Sequence, residues 1–232
     1  MSEERNRLGQ PIGPTVPGWC KRPVPTRTPM TGRFCRLELL DVERHAADLW
    51  AANSLDREGR MWTYLPWGPF GGFDEYLAYV QTMAPKDDPL IHAIIDIGSG
   101  KAVGVGSYLR INPSAGTIEV GGLAYSPLLQ RRPAATEAMY LMMQRAFDEL
   151  GYRRYEWKCN ALNAPSRAAA TRLGFSSRGA SAKLMWSRAA TATQPGLRSS
   201  TGNGRRCVPR SNAGSTPAIS TRLAGSASAY RH

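Results

Sequence analysis

Two stretches of this 232-residue chain carry residue types able to do chemistry. The first is Gln130-Arg131-Arg132-Pro133-Ala134-Ala135-Thr136. It leaves an apolar strand-like run and opens a long helical pattern. A turn of that kind aims backbone N–H groups and the positive end of a helix dipole at one point, which is how an anion is held. Pro133 has no N–H to give, but proline is tolerated in the first turn of a helix. Ala135 is small enough to let a ligand approach the backbone. The second is Glu119, in the alternating run Thr117 to Tyr125. A carboxylate there could accept a proton, or it could be the solvent-facing residue between core-facing Ile118 and Val120. The four cysteines (Cys20, Cys35, Cys159, Cys207) show no C-x-x-C pair and no metal-ligand spacing. They read as reduced thiols, with no metal. His45 and His92 read as packing or surface residues.

The elements that would position these residues follow from periodicity. Arg33 to Leu40 alternates and reads as the first strand. Asp41 is a plausible N-cap for a helix over Val42 to Leu55, with Arg44 where a capping box would place Glu. A loop rich in aromatics (Trp62, Tyr64, Trp67, Phe70) leads to a second amphipathic helix, Phe73 to Met83. Three strand-like runs follow, Leu90–Ile97, Ala102–Ile111 and Thr117–Tyr125, separated by turn signals at 98–101 and 112–116. Thr136 to Leu150 is the long central helix, closed by Gly151. Arg154–Cys159 is a strand, and Ala164–Leu173 is a short helix entered through Asn163. Two strands linked by a helix should be parallel neighbours through a right-handed crossover, so 117–125 and 154–159 should lie side by side. The fold class is α/β, with an α+β-type mixed sheet flanked by helices.

Net charge is +12, which by itself suggests nucleic acid. Its distribution does not. Nine of the Lys/Arg and none of the acids lie between Ser176 and His232, so the first 175 residues carry only +3. The chain divides into a Pro/Gly-rich N-terminal arm (1–32), a globular domain (33–175) and a basic low-complexity tail (176–232) of a composition that does not fold by itself. The arm would drape over the domain through Val16, Trp19 and Val24. No apolar run is long enough to span a bilayer, and the N-terminus lacks the apolar core of a secretory leader. The expected setting is the cytoplasm.

Four pieces in order resemble the GNAT superfamily of N-acetyltransferases, and within it the RimJ/RimL-like branch. They are Gly32-Arg33-Phe34-Cys35-Arg36-Leu37-Glu38; Gln130 to Ala138, similar to the family's Q/R-x-x-G-x-G/A phosphate loop; Gly151 to Cys159; and Asn163-Ala164-Pro165-Ser166 followed by Arg172-Leu173-Gly174-Phe175. Pro133 departs from the pattern by standing where the family usually has Gly.

The resemblance implies transfer of an acetyl group from acetyl-CoA to a primary amine, on a small molecule or a protein N-terminus. It implies that the cofactor wedges between two splayed strands, against the main chain of Leu123 and Tyr125. The pyrophosphate would rest on Gln130, Arg131, Arg132, Ala134, Ala135 and Thr136, with Asn163 and Ser166 flanking the start of the last helix, where the family contacts CoA. Glu119 becomes the candidate general base, acting through a water. Alternatives stand beside these roles. Gly121-Gly122 would splay the strand by a bulge or merely relieve twist. Asn163 and Ser166 would contact CoA or simply cap a helix. Tyr125 would face the substrate or only end its strand. The aromatic loop would form an acceptor pocket or belong to the core. Expected partners are the amine acceptor and a second copy of the chain, and neither a membrane nor nucleic acid. The other functional reading is a degenerate module that binds acetyl-CoA without catalysis.

After Phe175 the family would continue into a C-terminal hairpin. Here that hairpin reads as missing or divergent. Regrouping codons that permit Ala190 to Gly196 by two bases yields Asn-Arg-Asp-Thr-Ala-Trp, and the regrouping extends backward into a family-like hairpin. The expectation is a shift of reading frame near Ser176, leaving the edge of strand 154–159 open.

Overall fold

The computed structural model describes residues 4–13, 16–178 and 183–189. In the N-terminal arm, β1 (Glu4–Arg5) pairs with β2 (Pro11–Ile12). The domain is built on one mixed sheet of eight strands. Its spatial order is β3 (Met30–Thr31), β4 (Cys35–Leu39), β5 (Leu90–Asp96), β6 (Ala102–Asn112), β7 (Thr117–Tyr125), β8 (Arg154–Asn160), β10 (Lys183–Ala189) and β9 (Ser176–Arg178). Among the described strands only β7 and β8 pair in parallel. The helix between them, α3 (Pro133–Gln144), is the crossover expected of parallel neighbours.

Each face of the sheet buries its own core. On one, α3 and the π-helical turn Arg145–Glu149 cover Leu37, Ile94, Tyr108, Ile118, Val120, Tyr155 and Trp157. On the other, α1 (Val42–Asn53) and α2 (Phe73–Met83) cover Leu40, Ile91, Ala93, Ala102 and Ala124. Strand residues alternate between these two cores, and in β7 the phase reverses after Gly121: Ile118 and Val120 face the α3 side before it, Leu123 and Tyr125 after it. The short α4 (Ala164–Arg172) follows β8.

Local chemistry explains the helix starts. Asp41 accepts the Arg44 N–H at 2.9 Å, as an N-cap should. The reciprocal half of the box comes from His45, whose Nδ1 accepts the Asp41 N–H at 3.0 Å. An imidazole one position later therefore does what Arg44 cannot. Asn163 caps α4 by accepting the Ser166 N–H at 3.1 Å.

The arm docks by fewer residues than its apolar content suggests. Trp19 donates through Nε1 to the Ser114 carbonyl (2.8 Å) and fills the space above Gly116. Val16 and Val24 stay exposed. Further along, the buried Arg145 donates to the carbonyls of Thr28 (2.6 Å) and Pro29 (3.2 Å), tying the arm to the end of α3. Cys35 and Cys159 are free thiols, whereas Cys20 is disulfide-bonded, which corrects the expectation of four reduced thiols.

The edge of β8 is covered. β10 pairs with it antiparallel over seven residues, from Lys183↔Asn160 to Ala189↔Arg154, and β9 pairs with β10 in turn. Of the two readings, missing or divergent, the hairpin is the divergent one, and the expected open edge is corrected. The remainder of the tail, 190–232, lies outside the described residues.

Candidate functional site

The site begins where two strands part. β7 and β8 are in register at Thr117↔Arg154, Ile118↔Tyr155, Glu119↔Glu156 and Val120↔Trp157, and there the pairing stops. Both strands run on, β7 to Tyr125 and β8 to Asn160. Beyond Val120 the main chain of β7 therefore faces a gap on its β8 side. The cause sits in the next two residues. Against β6, Ser107 pairs with Gly121 and Val105 with Ala124, so Gly122 and Leu123 together oppose Gly106. This is a bulge, and Gly122 takes φ +60°, which a glycine adopts without the clash a Cβ would bring. Of the two readings of Gly121-Gly122, the bulge is the one observed.

The basic turn lies at the end of the same strand. Ser126 is its pivot: its carbonyl accepts the N–H of Leu129 (2.9 Å) and of Gln130 (3.0 Å), and its hydroxyl donates to Val103. Gln130 folds back, donating through Nε2 to the Tyr125 carbonyl at 2.8 Å. Arg131 is held at φ +60°, a conformation rare for a residue with a side chain, and Arg132 caps α3 with no side-chain bond of its own. Pro133 occupies the first turn. At this end of the helix the Ala135 N–H donates to the Arg132 carbonyl at 3.1 Å, and the positive end of the α3 dipole lies at the turn. An open groove of about 570 Å³ beside this turn is lined by Arg33, Phe34, Ser99, Arg132 and Ala134, among others.

A strand pair splayed at a glycine bulge, with a helix N-terminus closing its open end, is the arrangement expected from the resemblance. The sequence profile of the acetyltransferase (GNAT) domain matches residues 36–176. The chain belongs to the GNAT acetyltransferase family. Among solved structures it is similar to a GCN5-related N-acetyltransferase from Brucella melitensis, with 39% identity and a TM-score of 0.72 over 75% of this chain and 84% of that one. A GNAT-family acetyltransferase from Chromobacterium violaceum gives 31% identity and a TM-score of 0.69 over 77% and 94%. The ribosomal L7/L12 alpha-N-protein acetyltransferase RimL shares only 18% identity, with a TM-score of 0.59 over 70% and 94%, and supports the fold alone. No protein of curated function matches the chain by sequence.

This GNAT domain places its sequence-predicted residues unevenly around the wedge. Glu119 is buried on the face covered by α1 and α2, opposite Ile118 and Val120. It is not solvent-facing. Its two oxygens accept from Arg110 and from Lys158, each at 2.6 Å. Lys158 also reaches Glu156 (3.3 Å), which pairs with Arg154 (2.7 Å). Tyr125 points its ring into the core, where burial and then the neighbouring Cys35 push its phenol upward, so it can offer the wedge only main chain. Leu123 likewise packs its side chain on that core. Asn163 serves as a helix cap, and the Ser166 hydroxyl accepts Trp157 Nε1–H at 2.9 Å. Among the described residues no cluster has a metal-ligand arrangement, and no helix is long and apolar enough to cross a membrane.

Two contributors have no signal in the sequence. Glu137, one turn into α3, accepts the backbone N–H groups of Arg33 (2.7 Å), Phe34 (2.6 Å) and Cys35 (2.8 Å). Its carboxylate thus fixes the N-terminal part of α3 to the start of β4. Asp88 is the other. It accepts the N–H groups of Arg110 and Ile111, both at 2.9 Å, and so holds Arg110 at φ +47° in a second irregularity of β6. That conformation carries the Arg110 guanidinium to Glu119. Sequence spacing could not reveal either, because each joins residues on separate elements.

Proposed function

We propose that the chain is an acetyl-CoA-dependent N-acetyltransferase acting on a primary amine. The observation that supports this most is the wedge itself, four pairs of parallel ladder ending at a glycine bulge. Main chain from Gly121 to Tyr125, paired with β6 but without a partner on the β8 side, suits the pantetheine arm as a substitute strand. Leu123 and Tyr125 take part through their backbone. The turn Gln130-Arg131-Arg132 and the N-terminal turn of α3 at Ala134, Ala135 and Thr136, at the positive end of the helix dipole, suit the pyrophosphate, and Asn163 and Ser166 lie at the start of α4 on the β8 side. In the reaction the ammonium gives a proton to Glu119 through a water. The freed amine attacks the thioester carbon, the C–S bond breaks, and the second amine proton leaves with the departing thiolate. Each carboxylate oxygen holds one cation and retains a further lone pair.

The RimJ/RimL-like branch, a cytoplasmic setting, a homodimer and a shifted reading frame after about residue 175 belong to the same reading. A second reading is favoured by one observation. Glu119 is buried and held by two cations, which suits a domain that binds acetyl-CoA and does not turn it over. Calorimetry with acetyl-CoA, followed by thiol release with a panel of amines, separates the two. Thiol release that Glu119→Gln reduces by about 10²–10⁴-fold, with binding retained, supports the enzyme. Binding without release from the unmodified chain supports the module, and absence of binding refutes both.

A further inference from the structure

On the α1/α2 face, the bulge of β7 meets the aromatic loop. Between them is a small cavity of about 20 Å³, walled by Trp62, Trp67, Tyr76 and Tyr79 and floored by Ser107, Gly122 and Ala124. That is room for one water-sized group. Its deep walls, Trp62, Tyr76 and Ala124, are buried, while Trp67, Tyr79 and Gly122 are half-buried and form the outward side. Trp67 stacks on Tyr79 with ring centroids 5.8 Å apart and planes at 26°. The floor depends on Gly122. A Cβ there would lie 3.2 Å from Ser107 Oγ and 3.3 Å from the Trp67 ring.

We propose that this cavity seats the acyl group of the donor, and that Trp67, backed by Tyr79, limits that group to acetyl. The inference rests on the acyl-CoA reading of the wedge and goes beyond it by assigning what sets donor length. A thioester carried along the β8 side of β7 reaches the bulge at Gly122–Leu123, and its methyl then points into the cavity beside Gly122. The walls are apolar rings, which suit a methyl group. The space is too small for an acceptor side chain, and the surrounding rings are engaged with each other, Trp62 with Phe70 at 5.4 Å and Phe70 with Tyr76 at 5.3 Å. The aromatic loop is therefore both core and wall. Two or four further methylenes have nowhere to go unless the Trp67 indole is removed. Trp67 is the wall that can be trimmed, because the Trp62–Phe70–Tyr76 cluster holds together without it.

The test is calorimetric binding of CoA, acetyl-CoA, butanoyl-CoA and hexanoyl-CoA to the full chain, before and after Trp67→Ala. The unmodified chain should bind hexanoyl-CoA at least about tenfold more weakly than acetyl-CoA. Trp67→Ala should bring the two within about threefold, by the same differential, and leave bare CoA unchanged. Equal binding of all acyl lengths by the unmodified chain overturns the proposal, as does an unaltered ranking in the variant. If Trp67→Ala does not fold, Tyr79→Leu tests the same wall with the same two outcomes. Bare CoA has no acyl group, so its failure to bind identifies failure of the underlying acyl-CoA reading, and the proposal falls with it.

Discussion

His92 offers a perturbation whose magnitude can be worked from its surroundings. It lies on β5, fully buried, with its ring edge-on to Tyr108 at 5.5 Å and 85°. Neither ring nitrogen has a hydrogen-bond partner of normal geometry. Burial, and after it the charge of Arg145, pushes the imidazole from 6.5 down to about 4, with the Leu90 backbone opposing only in part. Between those values the unfolded chain takes up a proton that the native state refuses. The folded pKa is the lower one, so stability is highest above pH 6.5, declines as the pH falls through that value and levels off near 4. At about 1.36 kcal/mol per unit, the loss is about 3 kcal/mol. That is a large share of the roughly 5–15 kcal/mol that holds a domain together. Urea unfolding of the unmodified chain and of His92→Leu, from pH 7.5 to 4.5, checks it. The variant should be at least as stable at pH 7.5, because two unsatisfied buried nitrogens are gone. The gap should then widen by about 1.4 kcal/mol per unit below pH 6.5. His45 is also pushed down, by burial and then by Arg44, but it is common to both chains and cancels. Parallel stability curves for the two chains would refute the reasoning.

Three other outcomes are expected. For Glu137, burial opposes ionisation, but the amides of Arg33, Phe34 and Cys35 outweigh it and hold the carboxyl below the usual range. The resulting stabilisation is complete above the ordinary glutamate pKa and is lost as pH falls through the lowered value. Glu137→Gln should therefore cost about 1–3 kcal/mol at pH 7, and its gap to the unmodified chain should close in acid, as read by chemical unfolding. Gly122→Val meets both a positive φ and the Ser107 and Trp67 contacts. It should weaken acetyl-CoA binding about tenfold or more, equivalent to 1.4 kcal/mol, in a calorimetric titration. Arg145→Met removes the donors to Thr28 and Pro29. Stability should fall by about 2–4 kcal/mol, and limited proteolysis should cut sooner near Thr28.

Much of the fold was legible because its signals are local. The helix over Phe73–Met83 and the strand over Thr117–Tyr125 have the expected bounds, since periodicity and turn residues act on neighbours in sequence. The crossover between β7 and β8 followed from a general rule of chirality. The wedge was expected only through the family resemblance, since Gly121-Gly122 read equally as a bulge or as relief of twist, and the bulge became visible in the pairing with β6. Glu119 was readable as a residue of interest but not as a member of an ion network, because Arg110 reaches it only through a backbone twist fixed by Asp88. Glu137 carries no signal of its own in the helical pattern, and its three amide partners come from the bend leading into β4, about a hundred positions earlier. The arm misled in part, since Val16 and Val24 are apolar yet exposed, and Trp19 succeeds because a glycine opposite leaves it a seat.

The seven-residue contact between β8 and β10 has a consequence for how much change this domain can absorb. A ladder of N–H and C=O groups reads no letters. Its hydrogen bonds constrain the backbone of the added segment far more than its side chains, an ill-placed proline being the clearest exclusion. A domain that ends in such a joint can trade one terminal text for another and still seal its margin, whereas the layer under α3, fitted ring against ring, has no comparable freedom.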